Sequence, residues 1–357
     1  MSGLHDCKSI VLKDFLDSGF PGPEHFDIVT TSVDSSTLID GAILVQVHFI
    51  SADPYLRGSI KSTGSNKPGA PMTGFVSGKV LQSRHSGWIE GDLIGGSFPF
   101  STVQIITKEQ IEKTMAWKLT GFITEEQLSW GIGVMGMPGS TAYGGLLDVL
   151  RPQRGETLFV SAAAGVVGSL VGMLAKSLFG CRVIGSCGGP EKCAIITTEF
   201  GFDAAIDYKA FPDEASLTAR LKEVAPDGID MYFENVGGIH FQAAKSCLRV
   251  GGRIAVCGSI SEYNNAEPPS VMINPLSLIY TFQRIEGFMC GPWLRGTKGN
   301  FLVDMKRYLD DGVIRTGMTY RLMQQLQVCS VCAYLFAFFV CCRSNQGDFF
   351  RWHRKVA

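Results

Sequence analysis

At residue 155 the chain changes rhythm, and that change limits the folds open to it more than any other feature. An apolar strand-length run over 157–162 enters the turn Ala163-Ala164-Gly165-Val166-Val167-Gly168, and an apolar helix-length stretch follows over 166–178. Strand, glycine-bearing turn and helix in that order open a βαβ unit, which commits the strands to a parallel sheet covered on both faces. Further strands are predicted at 182–186, 204–207, 228–233, 253–257 and 284–288, with helical stretches between most of them. Six such strands predict a doubly wound nucleotide-binding domain. A last amphipathic helix over 301–309 places Phe301, Met305, Tyr308 and Leu309 on one face. Before residue 130 the pattern differs: β-rich runs at 43–50, 74–81, 92–98 and 103–107 alternate with Gly and Pro turns, as in a mostly antiparallel β domain.

Charge excludes one class of partner. Lys plus Arg number 32 against 33 Asp plus Glu, so the basic excess that phosphate-backbone binding needs is absent and no nucleic-acid partner is expected. The segment 1–9 carries His5, Asp6 and Lys8 without a hydrophobic run, which predicts a cytoplasmic chain. The 11 cysteines are scattered through apolar segments of a long chain and are expected to be buried free thiols. The apolar run 328–342 falls short of the roughly 20 residues that cross a bilayer, so no stable membrane span is expected.

In the turn after the first parallel strand, alanine replaces the first glycine of the dinucleotide fingerprint. Gly165 lets the backbone approach a pyrophosphate, Gly168 lets helix and strand pack closely, and Val166 and Val167 open the helix whose N–H groups face the anion. An acid at the end of the second strand would hold the ribose hydroxyl of NAD. Here that position reads Gly185-Ser186-Cys187-Gly188-Gly189, with Lys192 just beyond at the start of the next helix. No carboxylate repels a 2′-phosphate, so NADP is favoured over NAD, with Tyr208 placed to close the same pocket.

Other chemistries lack their residues. A zinc site needs clustered thiolate or imidazole ligands, but His5, His25, His48, His85, His240 and His353 form no close pair and 60–130 contains no cysteine. Cys329, Cys332, Cys341 and Cys342 lie among Leu, Phe and Val without turn residues, so no metal is expected there. There is no G-x-S-x-G elbow, and the stretch 291–298 fails the P-loop pattern because Thr297 precedes Lys298.

Several strings then coincide with one group of proteins. They are Asp53-Pro54-Tyr55-Leu56-Arg57, Gly136-Met137-Pro138-Gly139, Thr141-Ala142-Tyr143, the alanine-rich turn ending at Gly168, Glu191-Lys192-Cys193 and Gly201-Phe202-Asp203-Ala204-Ala205. Further along come Tyr232-Phe233-Glu234-Asn235-Val236-Gly237-Gly238, Cys257-Gly258-Ser259-Ile260-Ser261-Glu262-Tyr263-Asn264 and Arg284-Ile285-Glu286-Gly287-Phe288. From about residue 8 to 320 the chain resembles the zinc-independent medium-chain dehydrogenase/reductases of the prostaglandin reductase and NADP-dependent alkenal double-bond reductase group, nearest the 15-oxoprostaglandin 13-reductase branch.

The resemblance implies an α/β fold, a Rossmann-like doubly wound parallel sheet with a second, mostly β GroES-like domain. The substrate domain is expected over 1–134, the NADP-binding domain over 135–311, and part of 312–357 is expected to return to the first. The resemblance also places Gly165 to Gly168 on the pyrophosphate and Lys192 and Tyr208 on the 2′-phosphate. Asn235, the loop Cys257, Gly258, Ser259, Ile260, Ser261, Glu262 and Tyr263, and the segment Phe288, Met289 and Cys290 are expected along the cofactor. Tyr263 and Tyr55 are the implied catalytic residues. The Tyr263 hydroxyl would face the carbonyl of an enone or enal substrate and Tyr55 would line the same cleft. Members of the group often pair through the sheet edge of the nucleotide domain, which makes a homodimer the expected assembly.

From about residue 322 the chain departs from the group and matches nothing in it; Asn345 has no surrounding pattern that transfers a role. Three readings stand at this point: an NADPH-dependent enone or enal reductase, a zinc-free quinone oxidoreductase, and a cofactor-binding protein with little activity because of its divergent C-terminus.

Overall fold

The computed structural model describes residues 3–267 and 270–315. The expectations for 322–357, including the apolar run 328–342, its four cysteines and Asn345, lie outside the described residues. The chain forms two compact units, one ending at Ile132 and one beginning at Gly133.

In the N-terminal unit, β1 (Leu4–Leu12) and β2 (Phe26–Asp34) form an antiparallel pair, with Leu4 opposite Asp34 and Leu12 opposite Phe26. A second sheet contains β3 (Ile43–Ile50), β4 (Thr73–Ser83), β5 (Leu93–Pro99), β6 (Val103–Ile106) and β7 (Trp117–Lys118) in the order β6-β3-β4-β5-β7, antiparallel throughout. Two short helices interrupt it, α1 (Leu56–Ser59) and α2 (Lys108–Lys113), the latter started by a Thr107–Gln110 capping box. Ile10, Leu12, Phe26, Val45, Ile94, Phe98 and Phe100 share one core. The pair β1–β2 has little hydrophobic alternation to announce it: most of β2 is exposed, and the first half of β1 is His, Asp, Lys and Ser around one buried cysteine.

The C-terminal unit opens with α3 (Met137–Gly144) and then alternates β8 (Thr157–Val160), α4 (Val166–Phe179), β9 (Arg182–Cys187), α5 (Pro190–Thr198), β10 (Ala204–Asp207), α6 (Glu214–Val224), β11 (Ile229–Glu234), α7 (Gly238–Ser246) and β12 (Leu248–Val256). It continues with α8 (Pro275–Thr281), β13 (Arg284–Gly287), α9 (Gly291–Leu294) and α10 (Phe301–Asp310). The six strands pair in parallel in the order β10-β9-β8-β11-β12-β13. Counted within the sheet this is 3-2-1-4-5-6, the doubly wound order, which reverses between β8 and β11. Central strands are buried on both faces, which is why Leu158-Phe159-Val160 and Met231-Tyr232-Phe233 are unbroken apolar runs.

Two boundaries differ from expectation for local reasons. The first parallel strand stops at Val160, because Ser161 and Ala162 already belong to the turn and Ala162 takes a left-handed backbone at φ 49°. β12 begins at Leu248, ahead of the expected residue 253. The Gly251-Gly252 pair has the composition of a turn, but Gly251 at φ 77° lies within β12, which pairs with β11 across a register shift between Ile229 and Met231.

Two buried contacts hold the central sheet and its flank. Phe159 on β8 stacks on Tyr232 of β11 with ring centroids 5.1 Å apart, both side chains fully buried. Phe159→Ala should therefore lower stability by about 3–5 kcal/mol in urea unfolding. On α7, His240 lies buried with Nε2 3.0 Å from the Ser186 hydroxyl and its ring edge-on to Tyr208. Burial lowers its pKa from 6.5 to about 4, so the folded chain refuses a proton that the unfolded chain accepts. That stabilisation, about 3 kcal/mol for a displacement of this size, is present above pH 6.5 and drains as pH falls towards 4. Denaturation measured across that window should show stability rising with pH, with a flatter dependence in His240→Gln.

Candidate active site

The strand ends of the C-terminal unit carry nearly all the residues singled out by the motifs. Gly165 caps α4 with an exposed, extended backbone and no side-chain cap. A Cβ there would meet only the Ala162 carbonyl, at 3.2 Å. At Gly168 a Cβ would sit 2.5 Å from that same oxygen and 2.8 Å from the Ala163 Cα, so the helix touches the turn only because this residue has no side chain. Ser169 N–H is the first in the helix to find a partner, donating to the Gly165 carbonyl at 2.9 Å. The N–H groups of Val166, Val167 and Gly168 have no intrahelical acceptor and lie at the positive end of the helix dipole. Ala162 closes the turn by accepting Gly165 N–H at 2.9 Å, from a backbone region that costs an L-residue about 1–2 kcal/mol. These features together make an anion cradle.

One strand over, β9 ends at Cys187 and Gly188-Gly189 leads into α5. Lys192 lies half-buried in its first turn and makes no ion pair among the described residues. Tyr208, just after β10, brings its hydroxyl to 3.2 Å from where a Cβ on Gly188 would lie, and Lys209 Cε comes to 3.0 Å. Asp207 is turned to the backbone, accepting the N–H groups of Gly189 at 2.8 Å and Lys209 at 3.2 Å. This corner therefore presents lysines and a phenol. Lys209 stands outside the residues the motifs single out; its only signal is the Tyr-Lys pair after a strand.

At the other side of the reversal, the loops after β11 and β12 are knitted together by backbone bonds. The Glu234 carbonyl accepts Cys257 N–H at 2.9 Å and Gly258 N–H at 3.1 Å, Asn235 accepts Ile260 N–H, and Val236 accepts both N–H and hydroxyl of Ser261. Asn235 is fixed by Ser161, whose hydroxyl accepts its N–H at 2.9 Å and whose carbonyl accepts its side-chain amide at 2.7 Å. Beneath them the buried Glu234 carboxyl accepts the Ser161 hydroxyl at 3.1 Å and Gly237 N–H at 2.9 Å. Burial raises its pKa, against the pull of those N–H bonds. Glu234 and Ser161 organise this corner, and only the acid ending an apolar run before Asn-Val-Gly-Gly hints at it.

Tyr263 completes the loop. Its hydroxyl oxygen accepts Ser259 N–H at 3.2 Å, which leaves its own proton to donate elsewhere. Burial, with Cys257 and Glu234 nearby, lifts its pKa above the ordinary tyrosine value, so the group stays protonated at neutral pH. Ser259 donates its hydroxyl to Glu262 at 2.9 Å. Burial pushes the Cys257 thiol up to about 12, with Cys290 adding to the shift, so it is a packing group and not a thiolate. After β13, Phe288 turns its ring edge-on to Phe233 and Trp293, while Met289 is exposed.

Tyr55 belongs to the N-terminal unit, at the start of α1, where it is 39% exposed with its ring edge-on to Phe75 at 6.1 Å. Beside it, Arg57 is buried and donates to the carbonyls of Gly19 and Leu16, while burial raises the Asp53 carboxyl to about 7.

Comparison with known proteins shows the family. Residues 166–300 match the family described as zinc-binding dehydrogenase, and residues 8–114 match the N-terminal domain of oxidoreductase. No group of three or more His, Cys, Asp or Glu side chains among the described residues is placed to hold a metal ion, so these residues do not fit the zinc of that description. The chain is 39% identical to 2-alkenal reductase (NADP(+)-dependent) of Nicotiana tabacum, over 79% of this chain and 80% of the relative. It is 38% identical to prostaglandin reductase 1 of Bos taurus, over 83% and 86%. Among solved structures, CurA from Vibrio vulnificus in complex with NADPH superposes with a TM-score of 0.75 at 34% identity, covering 86% of this chain and 89% of that one. With both halves matched and most of its length shared with these relatives, the chain belongs to the prostaglandin reductase and alkenal double-bond reductase group of the medium-chain dehydrogenase/reductases.

Proposed function

We propose that this protein uses NADPH to reduce the C=C bond of α,β-unsaturated ketones and aldehydes. The observation that carries the reading is the uncapped N-terminus of α4 at Gly165 beside an acid-free end of β9, in a chain similar to reductases of this type. In this reading Val166, Val167 and Gly168 present their N–H groups to the pyrophosphate. Lys192 and Tyr208 hold the 2′-phosphate. Asn235, the loop 257–263 and the segment 288–290 line the nicotinamide half.

NADPH, when bound, supplies the hydride. Hydride addition to the β-carbon of an enone would leave negative charge on the carbonyl oxygen, which a hydrogen-bond donor of this chain would have to meet. The Tyr263 hydroxyl is that donor: it keeps its proton at neutral pH and donates a hydrogen bond to the forming enolate. The α-carbon then takes its proton from solvent. No general-base triad is required, because no proton has to be removed.

We further propose that the chain acts as a homodimer in the cytoplasm. Among the described residues β13 is an edge strand, and Leu276, Ile279, Tyr280 and Phe282 beside it are well exposed, which favours pairing of two such edges. The described cysteines are free thiols, as suits a reducing compartment, and no described helix is long and apolar enough to cross a membrane.

Three measurements test this. Following NADPH absorbance with a 15-keto prostaglandin and with 3-nonen-2-one should show turnover, and Tyr263→Phe should lower kcat about 10²–10³-fold with little change in NADPH affinity. Absence of turnover with either substrate overturns the reading; faster turnover of a quinone than of both enones reassigns the substrate. Lys192→Ala should weaken NADPH about 10–100-fold while leaving NADH binding nearly unchanged, the loss of one charge-assisted contact. Light scattering should give twice the 38.7 kDa chain mass, and a monomer would remove the dimer.

A further inference from the structure

Cys187 ends β9 and Cys193 lies in the first turn of α5, and their sulfur atoms are 3.5 Å apart. Cys7, Cys181 and Cys247, by contrast, turn their thiols to a hydroxyl or a carbonyl oxygen. Cys187 is buried and Cys193 is partly exposed. Between them lie Gly188, Gly189 and Lys192, so a bond joining the two sulfurs would close a small ring around the stretch that leads into α5.

We propose that Cys187 and Cys193 form a reversible redox dithiol that loosens the 2′-phosphate corner when it is oxidised; the effect on cofactor rests on the NADPH reading given above. The chemistry balances with a peroxide as oxidant. The more exposed Cys193 sulfur attacks hydrogen peroxide, forming Cys193–SOH and releasing water. The Cys187 sulfur then attacks that sulfenic sulfur, forming the S–S bond and releasing a second water. Two thiols have then lost two electrons and two protons to one peroxide. Cys193 is the first to react because it is the one of the two that solvent reaches. Burial raises both thiols, which slows their reaction with peroxide.

Bond formation takes the sulfurs from 3.5 Å to the disulfide length of about 2.0 Å. That draws the first turn of α5 towards the end of β9. Lys192 immediately precedes Cys193, and Gly188 packs against Tyr208 and Lys209, so the movement falls on the groups proposed to hold the 2′-phosphate. The pyrophosphate cradle at Gly165 lies on a different strand end and is not part of the ring. Oxidation should therefore penalise NADPH and spare NADH.

The test uses the full chain, reduced and then exposed to hydrogen peroxide, with remaining thiols blocked before digestion by trypsin. Cleavage after Arg182, Lys192 and Lys209 separates the cysteines, so the disulfide appears as peptide 183–192 joined to peptide 193–209. The expected result is that joined pair, an NADPH Kd raised about tenfold by fluorescence titration with NADH unchanged, reversal of both by dithiothreitol, and neither effect in Cys193→Ser. Absence of the joined pair overturns the proposal. So does a joined pair with unchanged NADPH affinity, or a Cys193→Ser variant that loses NADPH on oxidation as the wild type does. A reduced protein that binds no NADPH overturns the function reading, and with it the coupling to cofactor, while the peptides still decide whether the disulfide forms.

Discussion

A side chain on Gly168 would collide with the carbonyl oxygen of Ala162, and the C-terminal unit is built around that close approach. Because α4 can settle onto the turn after β8, its first N–H groups are presented at the strand ends and not sealed by a cap. The same turn puts Ala162 in a left-handed backbone, a local cost carried at the entry to the site. Val160, Ser161 and Ala162 thus pass in three residues from sheet hydrogen bonding to anion cradle. Ser161 also reaches across to Asn235, so the turn after β8 and the loop after β11 are set by one residue.

Across the reversal of strand order, Glu234 plays the complementary part. Its carboxyl satisfies N–H groups of the glycine turn that follows it, and its carbonyl holds the first residues of the 257–263 loop. Tyr263 is in turn held by Ser259 N–H, so its hydroxyl is positioned through a chain of contacts that begins at a buried acid. A carboxyl kept out of water is costly unless it is bonded, and here those bonds are the ones that shape the loop.

The parallel sheet was legible because it announces itself locally. Apolar runs, a glycine-bearing turn and helix-length segments recur at regular spacing, and the expected strands at 204–207 and 284–288 fall on β10 and β13. The pair β1–β2 was not legible, because its exposed, polar residues lack alternation and its pairing joins Leu4 to Asp34, far apart along the chain. The start of β12 was hidden by Gly251-Gly252, which has the composition of a turn but lies within a strand whose ladder shifts register. Motif strings located Gly165, Lys192, Tyr208 and Tyr263 without conveying what stands behind them. Ser161 and the Cys187–Cys193 contact have no sequence signature, and Lys209 has only the Tyr-Lys pair after a strand, since each depends on how strand ends and the turns after them lie.

What the amino-acid order determined by itself is the class of fold and the kind of chemistry, because hydrophobic period, glycine placement and the absence of an acid after β9 are properties of short segments. What only the tertiary structure decided is which groups face one another: the serine under Asn235, the acid under the 257–263 loop, the phenol over Gly188 and the two thiols flanking Lys192. Apart from the two thiols, which lie six residues apart, those neighbours are distant in sequence, and they meet because parallel strands deliver their C-terminal ends to one edge of a sheet.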